Sequence, residues 1–199
     1  MIPGTFRRSC LTAALAAAAG ASVSAAAPRE ETPIVVGARV PAFAGVLLDG
    51  TAVSLERLLG VTHKPGTDVL VISFFATYCE PCKKGLPMVE RVVARLQKRG
   101  VKALLLACGE SATLVEPFAK QNKLTSPIMT DPYLKVCPRL GVTARLPATY
   151  VIDRTGVLRA SFGAESATFE AELGQAVEAA LLPASALQAG ANAAGTGGP

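Results

Sequence analysis

Tryptophan is absent from this sequence, histidine occurs once, at His63, and charged residues make up only 18% of the chain. Little charge beside 50% apolar residues excludes global disorder and leaves ample material for a packed core. The formal charge of +5 is small. Arg7 and Arg8 fall in a segment that reads as a removable leader, so the mature excess shrinks by two. No basic cluster is interleaved with aromatics, so nucleic-acid binding is not expected. No internal repeat is visible, and 199 residues suit one ordinary domain with terminal extras. The lone His63 lies in an expected loop, where a solvated side chain is its plain reading.

The chain begins like an exported protein. Arg7-Arg8 forms a positive n-region, Leu11 to Ala21 an apolar h-region, and Val23-Ser24-Ala25 or Ser24-Ala25-Ala26 a small-residue cleavage site. Residues 1–26 are therefore expected to be a signal peptide. The Ala-rich stretch lacks the roughly 20 strongly apolar residues of a comfortable membrane span, which disfavours a retained anchor. Residues 27–36 read as a linker, 37–182 as the folded domain, and 183–199 as a disordered Ala/Gly-rich tail. Cys10 would leave with the leader, and Cys79, Cys82, Cys108 and Cys137 would remain. Paired cysteines in an exported chain suit disulfide chemistry in an oxidising compartment. A periplasmic or otherwise extracytoplasmic location follows from that expectation.

Asp49-Gly50, between Val46-Leu47-Leu48 and Thr51-Ala52-Val53, predicts a hairpin, and Ser54 can cap a short helix over Leu55–Leu59. Val69 to Phe75 is a continuous apolar, β-branched run, the pattern of a strand buried on both faces. A long helix is expected from about Cys79 to Lys98, kinked at Pro87. A second buried strand follows at Lys102–Ala107, then helices over Thr113–Asn122 and Pro132–Leu140. Pro147–Ile152 and Val157–Phe162 flank an Asp153–Gly156 turn, predicting an antiparallel hairpin. Phe169, Leu173, Val177 and Leu181 share one face of a closing helix over Ala167–Leu182. A parallel pair followed by a hairpin implies an α/β fold: a central mixed sheet, helices on both faces and an N-terminal β-hairpin.

Against that framework stands Phe74-Phe75-Ala76-Thr77-Tyr78-Cys79-Glu80-Pro81-Cys82. A helix starting at Cys79 aims unpaired backbone N–H groups and the positive dipole end at its sulfur, which favours thiolate. Helix-start dithiols reach acidities of roughly pKa 3.5–7.5. The Glu80-Pro81 spacer places Cys82 about one turn along, within disulfide reach. Cys79 is the candidate nucleophile and Cys82 the candidate resolving thiol.

These residues resemble a three-layer thioredoxin-like fold, and within it the exported TlpA/ResA-type thiol–disulfide oxidoreductases. The resemblance spans roughly residues 37–182. It rests on the strand-to-CxxC junction, the helix proline Pro87, the Leu146-Pro147 strand entry, the Asp153–Gly156 hairpin and the leading hairpin at Leu48–Val53. It implies a cis bond at Leu146-Pro147, with Pro147 facing the dithiol and the Leu146 backbone pairing with an extended substrate. It also implies reduction of disulfides in exported proteins, with electrons supplied by a membrane donor, in cytochrome c or copper-site assembly. No cofactor is expected.

Three departures stand out. Ser73 occupies the place of thioredoxin's buried acid, six residues before the first cysteine. Gly85 replaces the glutamate that ResA-like members carry three residues after the second. Tyr78 stands where a tryptophan is usual. Glu80 and Glu110 are the nearest remaining acids, each read as a solvated surface residue. Lys83 and Lys84 read as a solvated helix face, and Thr149 either lines the substrate groove or is ordinary strand packing.

Other cysteine chemistries lack the companion residues they require. A peroxidase would need Thr three residues and Pro seven residues before the reactive cysteine, where Ala76 and Ile72 stand. A zinc site would need a second closely spaced pair, which Cys108 and Cys137 do not form. A copper site would need wider cysteine spacing and a downstream histidine, so no metal is expected. A redox-inert or metal-binding module on the same fold is the other class of reading. Cys108 and Cys137 themselves read as small buried hydrophobes or as a second disulfide. Such a bridge would be either structural, worth about 3 kcal/mol in the chain-entropy model, or a relay for electrons from the first pair.

Overall fold

The computed structural model describes residues 34–60, 67–143, 145–163 and 166–182. The expected signal peptide, most of the linker, the tail and His63 lie outside them.

The architecture is organised around β3 (Val69–Phe75), every residue of which is buried. Its side chains alternate between the two faces of the sheet. Leu70, Ile72 and Phe74 enter one apolar layer with Leu104, Leu106, Tyr150 and Ile152. Val69 and Val71 enter the opposite layer, against Val89, Val92, Leu173 and Val177 of the covering helices. A β-branched run with no polar gap therefore has only one comfortable place, the centre of a sheet covered on both sides.

The chain reaches β3 through β1 (Ala44–Val46), β2 (Ala52–Ser54) and α1 (Leu55–Leu59). β1 and β2 form the expected antiparallel hairpin. Ser54 caps α1, its Oγ accepting from the Arg57 N–H at 3.4 Å. After β3 come α2 (Glu80–Leu96), β4 (Val101–Cys108), α3 (Ala112–Gln121), β5 (Ile128–Asp131), β6 (Ala148–Asp153), β7 (Leu158–Phe162) and α4 (Phe169–Leu181). The main sheet runs β5-β4-β3-β6-β7. β3 pairs parallel with β4, and β4 with β5, while β6 is antiparallel to both β3 and β7. α2, α3 and α4 cover one face; α1 and the segment carrying Val136–Val142 cover the other.

Both sheet edges are closed by the N-terminal segment. The Leu48 N–H donates to the Ile128 carbonyl at 2.9 Å along β5. Gly37 and Leu158, on the far edge, are joined by a Gly37 N–H to Leu158 carbonyl bond of 2.8 Å. Gly45 is required by the same packing: a Cβ there would run into the Met129 side chain of β5.

Two expectations are corrected. β5 was not foreseen, because four residues between Pro127 and Pro132 are too few to display a period. The helix expected over Pro132–Leu140 is only a single 3-10 turn at Pro138–Leu140. The buried Asp131 carboxylate accepts from the N–H groups of Lys135 at 2.7 Å, Val136 at 2.8 Å and Cys137 at 2.7 Å. Those donors therefore bond to a side chain instead of to carbonyls one turn back.

The β6–β7 turn is organised by another buried acid. Asp153 Oδ1 accepts from the Thr155 N–H at 2.8 Å and the Val157 N–H at 3.1 Å, and Oδ2 accepts from Arg159 Nε at 2.6 Å. Burial pushes the Asp153 carboxyl upward, but the bonds from Thr155, Val157 and Arg159 outweigh it and hold it below its ordinary 3.8. A depressed folded value means stability that is complete above 3.8 and lost as pH falls through the folded value. Asp153→Asn should therefore cost about 1–3 kcal/mol at neutral pH. Urea titrations of the two proteins should converge only below pH 3.8; a gap independent of pH would contradict the assignment.

Candidate functional site

The C-terminal end of β3 delivers the chain into Ala76-Thr77-Tyr78 and then into α2. Cys79 is the residue that caps α2, with extended backbone, and its Sγ accepts from the Cys82 N–H at 3.3 Å. Pro81 sits in the first turn, where its missing N–H costs nothing and its fixed φ suits a helix start. Cys79 and Cys82 are joined as a disulfide, with Cα atoms 5.3 Å apart. Both are buried, but unequally: Cys79 retains 8% exposure and Cys82 only 1%. The first residue borders the groove described next, and the second lies deeper in the core.

Cys79 opens onto a groove of about 650 Å³, lined also by Tyr78, Pro81, Cys108, Leu134 and Leu146. The peptide bond between Leu146 and Pro147 is cis. Leu146 lies on the groove, whereas Pro147 is buried and borders the adjoining depression with Arg145 and Tyr150. Their place follows from register, since Ala148 pairs with Phe74 one residue short of the end of β3. A further depression of about 390 Å³, beside α2 and Thr125–Pro127, carries neither cysteine nor histidine.

Glu80 is exposed and pairs with Lys83 on the surface of α2. Glu110 is not the solvated acid the sequence suggests. It is 6% exposed and accepts from the Thr77 N–H at 2.7 Å and the Thr77 hydroxyl at 2.5 Å. It thereby ties the loop after β4 to the turn that presents Cys79. The signal available in sequence was its position two residues beyond Cys108, at the end of a strand parallel to β3. Thr149 does not line the groove: it is buried, and its hydroxyl lies 3.3 Å from that of Ser73. These two hydroxyls satisfy each other where a carboxylate stands in thioredoxin. Gly85 is buried within α2, so that position carries no side chain at all.

Cys108, at the end of β4, and Cys137, before the 3-10 turn, form a second disulfide with Cα atoms 6.0 Å apart. Asp131 holds the Cys137 backbone in place through its N–H. No cluster of three metal-ligating side chains occurs among the described residues.

A mixed sheet whose central strand ends at a helix-capping CxxC disulfide, with a cis-proline strand entry beside it, defines a thioredoxin-fold dithiol protein. Residues 36–161 match the family model described as AhpC/TSA family, and the chain belongs to that family. It is 32% identical over 152 residues to the thiol-disulfide oxidoreductase ResA of Geobacillus thermodenitrificans, covering 76% of this chain and 83% of that one. The ResA of Geobacillus kaustophilus is 30% identical over the same shares. In structure the chain is similar to a putative thiol:disulfide interchange protein DsbE from Chlorobium tepidum, with TM-score 0.67 and 22% identity, covering 75% and 99% of the two chains. A secreted Mycobacterium tuberculosis disulfide oxidoreductase shares the fold at TM-score 0.57 and 20% identity, covering 69% and 95%. The activity is thiol–disulfide exchange. The ResA relatives, together with Ala76 and Ile72 at the positions a peroxidase needs, set it apart from peroxide reduction within the family.

Glu110→Ala strands the Thr77 N–H at a part-buried site, an expected loss of about 1–3 kcal/mol in urea unfolding of the oxidised protein. A loss under half that size would mean that Thr77 finds water instead.

Proposed function

We propose that this protein reduces disulfides of exported proteins in an extracytoplasmic compartment, with Cys79 as attacking thiolate and Cys82 as resolving thiol. The observation that carries the reading is the unequal placement of the two cysteines at a helix start: Cys79 lines the groove at 8% exposure, whereas Cys82, at 1%, does not line it. A substrate disulfide reaches only Cys79. In the reduced form, a negative charge on its sulfur meets the Cys82 N–H and the unpaired donors of the first turn of α2. Attack on the substrate forms a mixed disulfide and releases a substrate thiolate. Cys82 then attacks Cys79 Sγ, closing the disulfide seen here and releasing the second substrate thiolate. Two electrons pass to the substrate.

Leu146 provides the receiving wall, and the cis bond to the buried Pro147 behind it fixes the course of its backbone. An extended substrate segment lies along the Leu146 backbone, held by main-chain bonds, with Tyr78 and Leu134 forming apolar rims. The reducing direction is supported by likeness to ResA and by the Glu80-Pro81 spacer. Regeneration of the dithiol then requires a donor, which we place in the membrane. Export is supported by the leader-like first 26 residues and by one structural neighbour described as secreted. No helix among the described residues is long and apolar enough to cross a membrane. Cytochrome c or copper-site maturation is the substrate class that the family resemblance favours.

Cys79→Ser should abolish exchange with a disulfide-bonded peptide, a fall of at least about 100-fold, because serine does not supply a thiolate. Unchanged turnover would leave a redox-inert binding module as the better reading. Cys82→Ala should accumulate mixed disulfides through Cys79, and mass spectrometry of complexes trapped in an extract of the exported compartment identifies the partners. Trapping through Cys108 or Cys137 instead would remove Cys79 as the attacking thiol.

A further inference from the structure

Cys108 shares a groove with Cys79, and that is more than a structural bridge needs. β3, which leads to Cys79, and β4, which ends at Cys108, are neighbours, with Phe75 paired to Ala107 in parallel register, so both cysteines lie at adjacent strand ends. Glu110 fastens the two ends together through Thr77. Gly109, between Cys108 and Glu110, places no side chain over the groove they share. The second pair also repeats the asymmetry of the first. Cys108 is 7% exposed and Cys137 is 0% exposed, beside 8% and 1% for Cys79 and Cys82. Each pair thus has one cysteine lining the groove and one more deeply buried. A bridge that served only to close a loop has no need for either half to border the reacting groove.

We propose that Cys108–Cys137 is a second redox-active disulfide, which takes two electrons from the reduced Cys79–Cys82 dithiol across the shared groove. The inference rests on the exchange chemistry assigned above to the first pair. Cys79 loses its proton, and its thiolate attacks Cys108 Sγ. A Cys79–Cys108 bond forms and the Cys108–Cys137 bond breaks, with the electron pair leaving on Cys137. Cys82 loses its proton and attacks Cys79 Sγ, forming Cys79–Cys82 and releasing Cys108 as thiolate. Cys108 and Cys137 take up two protons. The first pair is oxidised and the second reduced, with no outside reagent. The Asp131 carboxylate keeps Cys137 near its partner during the step by holding its N–H at 2.7 Å, so the bridge can close again. The reduced second pair then holds two electrons in the wall of the groove, available to a disulfide bound there.

The test follows each cysteine separately. The oxidised mature chain is treated with limiting dithiothreitol, quenched with acid at intervals, alkylated and peptide-mapped. In the wild type, label should appear at Cys79 and Cys82 first and then move to Cys108 and Cys137. Reduction of the second pair should be at least about tenfold slower in Cys79→Ser/Cys82→Ser, where the intramolecular route is removed. Equal rates in the two proteins, or a second pair that stays oxidised in both, would overturn the proposal. A Cys82→Ala/Cys137→Ala variant, checked for fold by circular dichroism, should form an intramolecular Cys79–Cys108 disulfide on mild oxidation. Free thiols at both positions in the folded variant would count against the relay. Exchange of the wild-type Cys79–Cys82 pair with a disulfide peptide is measured on the same samples. Its failure would remove the exchange assignment itself, whereas intact exchange with an inert second pair removes only the relay.

Discussion

The two-sided burial of β3 is the constraint on which the rest depends. Seven residues with no exposed position can lie only between two apolar layers, so the helices and the N-terminal hairpin have fixed faces to cover. Because the strand is central, its end is a rigid point, and the turn that leaves it emerges at the edge of the sheet. Cys79 is four residues beyond Phe75, the last residue of β3, which stacks on Phe118 of α3 at 5.6 Å between centroids. Cys79 is therefore placed by packing and brought to the groove by a tight turn. A sulfur on a long loop would have neither the fixed position nor the run of helix N–H groups aimed at it.

The proton chemistry of the site is distinctive. Thioredoxin's buried acid is replaced by Ser73, whose hydroxyl is satisfied by Thr149, and the helix position of the ResA glutamate is the buried Gly85. A carboxylate nonetheless remains close to the dithiol turn. Glu110 lies to the side of the dithiol, where it accepts two bonds from Thr77. Its effect is to hold the turn that presents Cys79. The parallel pairing of β3 and β4 brings the end of β4, and so the second disulfide, near the first, and the Glu110 bonds tie the segments that follow the two strands.

Much of this was legible before folding was considered. The Val69–Phe75 run, the Asp49-Gly50 and Asp153–Gly156 turns and the Cys79–Cys82 spacing are local patterns. Each has a one-dimensional signature: an unbroken apolar run, a turn dipeptide, a helix-start dithiol. β5 was not legible, because its four residues become a strand only when β4 and the Leu47–Leu48 segment pair with them. The 132–140 region was misread for the opposite reason. Its residues tolerate a helix, but the Asp131 side chain captures the backbone donors that a helix would use.

The sequence by itself determined the class of chemistry, since a CxxC at the junction of a buried strand and a helix is a contiguous feature. It also determined the order of elements that makes a thioredoxin-like sheet. Only the tertiary structure decided which cysteine of the first pair borders the groove, that Glu110 is buried against Thr77, and that Cys108 lines the same groove as Cys79. Those properties arise from segments distant in sequence meeting at one edge of the sheet. Burial and proximity are sums over all such neighbours, so no local stretch of residues encodes them alone.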